Sequence, residues 1–158
     1  MTLPKAPLRE VITIDGTNVE LEVKGNPIEN LGVLKSLDLF HYLNIFDSKY
    51  TPSNFNKADG TPLRLFDSPT LKIDVSKRSK EDMGFWHRNI DYNEVIFCVR
   101  GALRWETEMG TVTLKEGEMI VIPKGISHRS MLCDESAEEN VLIELKCTDK
   151  LNYVGDKK

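Results

Sequence analysis

Residues 84–130 read GFWHRNIDYNEVIFCVRGALRWETEMGTVTLKEGEMIVIPKGISHRS. The stretch carries His87, His128, Trp86 and Trp105, and it alternates short apolar runs with Gly and Pro turns. Glu94 heads the run Val95-Ile96-Phe97-Cys98-Val99, which ends at Arg100-Gly101. Such a β-branched and aromatic run predicts a strand buried on both faces. A carboxylate at its head is costly to desolvate, by several kcal/mol when uncompensated, so Glu94 needs a partner. Seven residues earlier stands His87, after the apolar approach Gly84-Phe85-Trp86. Glu118-Met119-Ile120-Val121-Ile122 predicts another strand, Pro123-Lys124-Gly125 a turn, and Ile126-Ser127-His128 the start of the next strand. Pro presets φ for such a turn and Gly supplies the positive φ, so His128 is aimed back along the sheet.

From Pro62 onward the pattern is a series of short strands. They are Leu63–Phe66, Leu71–Val75, the approach to His87, Glu94–Val99, Leu103–Glu108, Thr111–Leu114, Met119–Ile122, His128–Leu132 and Val141–Lys146. Short strands at close spacing with Gly and Pro turns imply an all-β sandwich or barrel. Upstream, Arg9–Ile14 and Val19–Val23 flank Asp15-Gly16-Thr17-Asn18, which predicts a hairpin. Gly25-Asn26-Pro27 breaks the chain. Residues 31–46 fit both a helix and a strand, and Tyr50–Gly60 reads as a surface loop. His41, in an apolar stretch, is read as structural.

The 158 residues suit one domain with a sizeable core. The organisation expected is an N-terminal extension 1–61, a β-barrel core 62–147 and a tail 148–158. A net charge of −4 with no basic stripe excludes a nucleic-acid surface. The absence of an apolar run of about 18 residues excludes a membrane-spanning helix. Met1–Pro7 lacks the apolar core of a signal peptide. Cys98, Cys133 and Cys147 follow no disulfide or zinc spacing, so a reducing cytoplasm is expected.

Gly117-x5-Pro123-x-Gly125-x2-His128 matches the second motif of the cupin family at each of those positions. His87-x-Asn89-x4-Glu94-x6-Gly101 resembles the first cupin motif, with Asn89 where the family has a second His. Glu81 stands where that motif opens with Gly, and Leu132 where the second often closes with Asn. The tripeptide His87-Arg88-Asn89 followed by a Glu is also similar to the iron-ligand segment of homogentisate 1,2-dioxygenases, with a His-to-Glu gap one residue longer.

The resemblance implies a double-stranded β-helix, the cupin jelly roll, with a homodimer contact through the N-terminal strands. It also implies that His87, Glu94 and His128 hold one divalent transition metal. Two imidazoles and one carboxylate leave coordination positions open, the pattern of Fe(II) oxygenases, so Fe(II) is favoured over Zn, Mn or Ni. By strand alternation Glu94, Ile96 and Cys98 share the inner face. Asn89, Ile96, Cys98 and Trp105 are the candidates for substrate or supporting contacts; Asn89 is open to three roles, a weak fourth ligand, a hydrogen-bonding support or a substrate contact, with the support favoured because an amide is a poor ligand for a transition metal. Arg88, Arg104 and Arg129 alternate outward, and an arginine that did reach the pocket would suit a substrate carboxylate. Three functions follow: an Fe(II) dioxygenase of a small hydroxylated aromatic acid, a metal-dependent isomerase, lyase or hydrolase of sugars or small acids, and a non-catalytic small-ligand binder. The bland reading is a barrel that has lost its metal and keeps these residues for packing.

Overall fold

A computed structural model describes residues 8–23, 31–35, 41–55, 61–80 and 84–156. The chain forms two compact units, Met1–Asn44 and Ile45–Lys158. Among the described residues the regular elements are strands, apart from a 3-10 turn at Ser48–Tyr50.

The first unit is a three-stranded antiparallel sheet of β1 (Leu8–Ile14), β2 (Thr17–Val23) and β3 (Leu31–Lys35). Ile14 pairs with Thr17 across the two-residue turn Asp15-Gly16. Both turn residues have positive φ, 47° and 77°, which matches the twist of the strands they join. The ambiguous stretch is a strand over 31–35 and has no regular structure at 41–44. The expected break at Gly25-Asn26-Pro27, residues 36–40 and residues 56–60 lie outside the described residues.

The second unit pairs two sheets. One has five strands in the order β4-β5-β11-β6-β9: β4 (Leu63–Asp67), β5 (Leu71–Arg78), β6 (Asn93–Arg100), β9 (Met119–Ile122) and β11 (Asn140–Cys147). The other has three, in the order β10-β7-β8: β7 (Ala102–Thr107), β8 (Gly110–Lys115) and β10 (His128–Met131). All pairings are antiparallel. Ile96, Cys98, Ile122 and Leu142 from the larger sheet meet Leu103, Trp105 and Leu114 from the smaller one in a single apolar cluster. Alternation places these residues inward and Arg104 outward, as the pattern predicts.

Three features differ from the pattern. The approach to His87 forms no strand; one antiparallel bridge, His87 to His128, stands there. β5 runs three residues beyond Val75, and Asp74, Ser76, Lys77 and Arg78 are all buried. The polar tail of that strand is covered because Lys77 Nζ donates to the Asp47 carbonyl (3.1 Å) and to Thr51 Oγ1 (3.3 Å). For the same reason the segment around Tyr50 is not purely superficial: Pro52 and Asn54 are buried.

The β6–β7 turn is held by Asn140. Its Oδ1 accepts from the Ala102 and Ala137 amides (3.1 and 2.8 Å), and its Nδ2 donates to the Arg78 and Ala137 carbonyls (3.2 and 2.9 Å). Gly101 sits against it with φ 78°, and a Cβ there would lie 2.1 Å from Asn140 Oδ1. Glycine is required for both conformation and space.

Candidate metal centre

His87 and His128 are brought together by main chain. The His87 amide donates to the His128 carbonyl (3.0 Å) and the His128 amide to the His87 carbonyl (2.8 Å). Residues so paired are direct cross-strand neighbours, and their rings lie 4.4 Å apart, centre to centre. The turn Pro123–Gly125 is clamped to the segment between the two motifs. The Gly125 amide donates to the Asn89 carbonyl (2.8 Å) and the Lys124 amide to Asn93 Oδ1 (3.1 Å).

Glu94 comes from the opposite sheet. Its Oε2 lies 2.8 Å from His128 Nε2, and both side chains are buried. This approach lies off hydrogen-bond direction, so Oε2 is left without a hydrogen-bond partner although it is shut from solvent. Burial alone would raise the Glu94 carboxyl, but the neighbouring His128 outweighs it and holds the group below the usual carboxylate range. Burial would lower His128, and contact with Glu94 raises it instead. His87 is pushed down by burial and by His128. His128 Nδ1 faces the Ile126 carbonyl at 3.0 Å, which assigns the Nδ1 proton to that bond and leaves Nε2 toward Glu94.

Among the described residues no trio of His, Cys, Asp and Glu side chains already stands at the spacing of a metal shell. The donor set itself fits a divalent transition ion: two imidazoles on one bridge and a buried carboxylate with an unsatisfied oxygen. His87 is the loosest of the three, since it is exposed and its Nδ1 has only a 3.4 Å contact with the Phe85 carbonyl.

All three line a cavity of about 430 Å³ in the second unit. Asn89, Ile96 and Trp105 line it too. Asn89 Oδ1 accepts from the Asp91 and Tyr92 amides (3.1 and 3.2 Å), so the residue shapes the loop leading to Glu94. Trp105 is buried with its ring 6.0 Å from that of His128, and its Nε1–H has no hydrogen-bond partner. Cys98 does not line the cavity. It faces inward one layer below, in the apolar cluster, where Sγ contacts the Gly101 carbonyl (3.3 Å) and burial pushes the thiol up.

Arg129 is held by Glu106 (2.7 Å) and lies over Trp86; Arg88 reaches Glu108 (3.3 Å) but, against the expected outward alternation, also lines the cavity, because the approach to His87 forms no strand. The sequence pattern missed Arg78, Glu144 and Lys146, which line the same cavity from β5 and β11. Their parity gives the signal. Asp74, Ser76 and Arg78 alternate on β5, and Leu142, Glu144 and Lys146 on β11, on the face that Ile96 and Leu142 mark as inner.

Comparison with known proteins agrees with this architecture. Residues 78–137 match the family model described as "Cupin domain". A protein of Saccharolobus solfataricus named "Putative dioxygenase" is 29% identical over 66 residues, 42% of this chain and 17% of that protein. The match therefore spans under a fifth of the relative's length. Among solved structures, one from Ralstonia eutropha described as a "putative mannose-6-phosphate isomerase" is 19% identical with a TM-score of 0.57. It covers 70% of this chain and 100% of its own. A Rhizobium leguminosarum protein of unknown function is 15% identical with a TM-score of 0.53, covering 70% and 98%. Among the described residues no helix is long and apolar enough to cross a membrane. Fold, paired motifs and family match converge: residues 78–137 of the chain form a cupin domain.

Proposed function

We propose that this cupin is a non-haem Fe(II) dioxygenase acting on a small hydroxylated aromatic acid, with His87, Glu94 and His128 as the metal ligands. The observation that carries the reading is the buried, unsatisfied Glu94 Oε2 beside two bridged histidines. The similarity of 66 residues to a protein named as a dioxygenase supports it. Bound Fe(II) would supply open coordination positions and the electrons that let an aromatic substrate and dioxygen react. The chain's own residues do the rest. The Ile126 carbonyl fixes the His128 tautomer, Glu94 carries negative charge to the ligand set, and Ile96 and Trp105 give the cavity a dry wall. The free thiols Cys98, Cys133 and Cys147 suit a reducing cytoplasm, and the reading includes a homodimer, which sedimentation would test.

Elemental analysis tests the centre. Wild type should carry about one transition-metal ion per chain, and His87→Ala and His128→Ala should carry none. Equal metal in all three would overturn the site. Oxygen uptake with catechol-type and hydroquinone-type acids then tests the reaction. A second reading, a metal-dependent isomerase or lyase, draws on the buried Glu144 carboxyl, which could move a proton within the cavity, and on the name of the Ralstonia neighbour. Zinc or nickel retained in full with no oxygen uptake would favour it.

A further inference from the structure

Strand register stacks the interior of the second unit in layers. Glu94 on β6 and His128 on β10 form one layer, on facing sheets. Two residues on, along the same inner faces, stand Ile96 and Ser130. Glu144 of β11 is paired to Ile96, and Trp105 of β7 to Ser130. A step of two residues is about 7 Å along a strand. Beyond this second layer Cys98, Leu103, Leu114 and Leu142 close the barrel with hydrocarbon. Ile96, Trp105, Ser130 and Glu144 all line the cavity, so they form its floor, one layer below the candidate ligands.

The polar members of the floor are Glu144 and Ser130, one from each sheet. Each is only 6% exposed. Directly paired strand residues share a face. Ile96 and Trp105 belong to the inner cluster, so their partners Glu144 and Ser130 also point inward. Among the described residues neither side chain makes a hydrogen bond. Lys146 Nζ lies 4.0 Å from Glu144, beyond hydrogen-bond reach, and is bound to Asp74 (2.9 Å). The other polar side chains of the cavity outside the ligand set are engaged or exposed. Asn89 Oδ1 accepts from the Asp91 and Tyr92 amides, Arg88 reaches Glu108, and Arg78 Nε donates to Ser76 Oγ (2.9 Å). Thr61 and Asp91 are exposed. A carboxyl and a hydroxyl buried without hydrogen bonds cost more than the hydrocarbon that fills the next layer. A polar group brought in from outside would remove that cost.

We propose that Glu144 and Ser130 form a hydroxyl-binding subsite on the cavity floor. A ring hydroxyl of the substrate donates to the Glu144 carboxyl and accepts from Ser130 Oγ–H, while the oxygens at the other end of the ring face His87, Glu94 and His128. This rests on the aromatic-acid reading and deepens it, since it requires a hydroxyl remote from the metal-binding end. A hydroxyl both donates and accepts, which matches the pair, and a carboxyl accepts from it in either protonation state. Ile96 and Trp105, in the same layer, give the ring an apolar seat. The layer spacing suits a single ring, and a cavity of about 430 Å³ holds one small aromatic acid.

Two probes isolate the remote hydroxyl. 2,5-Dihydroxybenzoate and 2-hydroxybenzoate share the carboxylate and the hydroxyl beside it, and differ by the hydroxyl across the ring. Calorimetric titration of the full chain should show the dihydroxy acid preferred about 10- to 100-fold, in zinc-loaded and in chelator-treated protein alike, so that no turnover enters the measurement. E144L should abolish the preference while leaving 2-hydroxybenzoate binding unchanged. S130A should remove part of it, and E144Q should keep part of it, because an amide carbonyl still accepts. No preference in either form of the wild type, or a preference surviving in both E144L and S130A, would overturn the proposal. So would an equal loss of both acids in the variants, which would mean that the two residues only shape the cavity. A hydroxyl preference that depends on Glu144 and Ser130 in an iron-loaded protein that takes up no oxygen would leave the subsite standing and remove the dioxygenase.

Discussion

Glu94 and Cys98 stand four residues apart on one face of β6, yet they belong to two different environments. Around Cys98 the two sheets close on Leu103, Leu114, Ile122 and Leu142, with no charged side chain in the cluster. Around Glu94 the same sheets part over a cavity whose walls carry imidazoles, carboxyls, two guanidiniums and an ammonium. One end of the barrel holds the fold together by removing hydrocarbon from water. The other retains groups that are costly to bury and is useful for that reason. The comparison teaches that stability and chemistry are separated along the strands, by about two residues on either side of Ile96, and not between separate elements.

The sharpest way to break this division is at the turn that holds the apolar end. Gly101→Ala should destabilise by about 3–5 kcal/mol in urea denaturation, because it adds a strained φ and forces Asn140 off its four hydrogen bonds. Leu142→Ala, in the cluster and fully buried, should cost about 2–5 kcal/mol in the same measurement while metal content stays near one per chain. Glu144→Leu should do the reverse. Thermal denaturation should show stability unchanged or raised by about 1–2 kcal/mol, while turnover of the aromatic acid is lost. A clear loss of stability there would mean that the polar end also supports the fold.

A smaller effect concerns pH. His128 is raised, so its contribution is present below the ordinary imidazole value and lost as pH rises through the folded one. Glu94 is lowered, so its contribution is present above the ordinary carboxylate value and lost as pH falls through the folded one. Chelator-treated protein should therefore gain most from this pair between about pH 4.3 and 6.5. A melting series in His128→Ala should lack that increment. The smallest effect is expected at Arg100, whose contact with Glu139 (3.3 Å) is half exposed: Arg100→Ala should change stability by no more than about 1 kcal/mol.

Much of the barrel was readable because the strands from β6 to β10 combine β-branched runs with Gly and Pro at the turns. The grouping of His87, Glu94 and His128 was expected from motif spacing, and the structure brings these residues to one cavity. The N-terminal turn was readable because Asp-Gly has one favoured geometry between strands. Residues 31–46 were not, since their apolar residues satisfy both periods at once. Arg78 was hidden for a different reason. Ser76-Lys77-Arg78-Ser79-Lys80 has the composition of a solvated run, and even Lys77, on the opposite parity from Arg78, is covered there by Asp47 and Thr51, 30 and 26 residues away in sequence. Glu144 and Lys146 were hidden because Val141, Ile143 and Leu145 make the opposite parity of β11 look like the inner one.

The single bridge between His87 and His128 has a dynamic consequence. Two amide protons, one on each candidate ligand, close the one ladder contact that the approach segment makes among the described residues. Any ion that grips both rings also fastens those amides, so occupancy of the centre is written into the main chain. Their exchange with deuterated solvent should slow on metal loading while the amides of β11 keep their rates, giving a readout of the centre that is independent of substrate and of turnover.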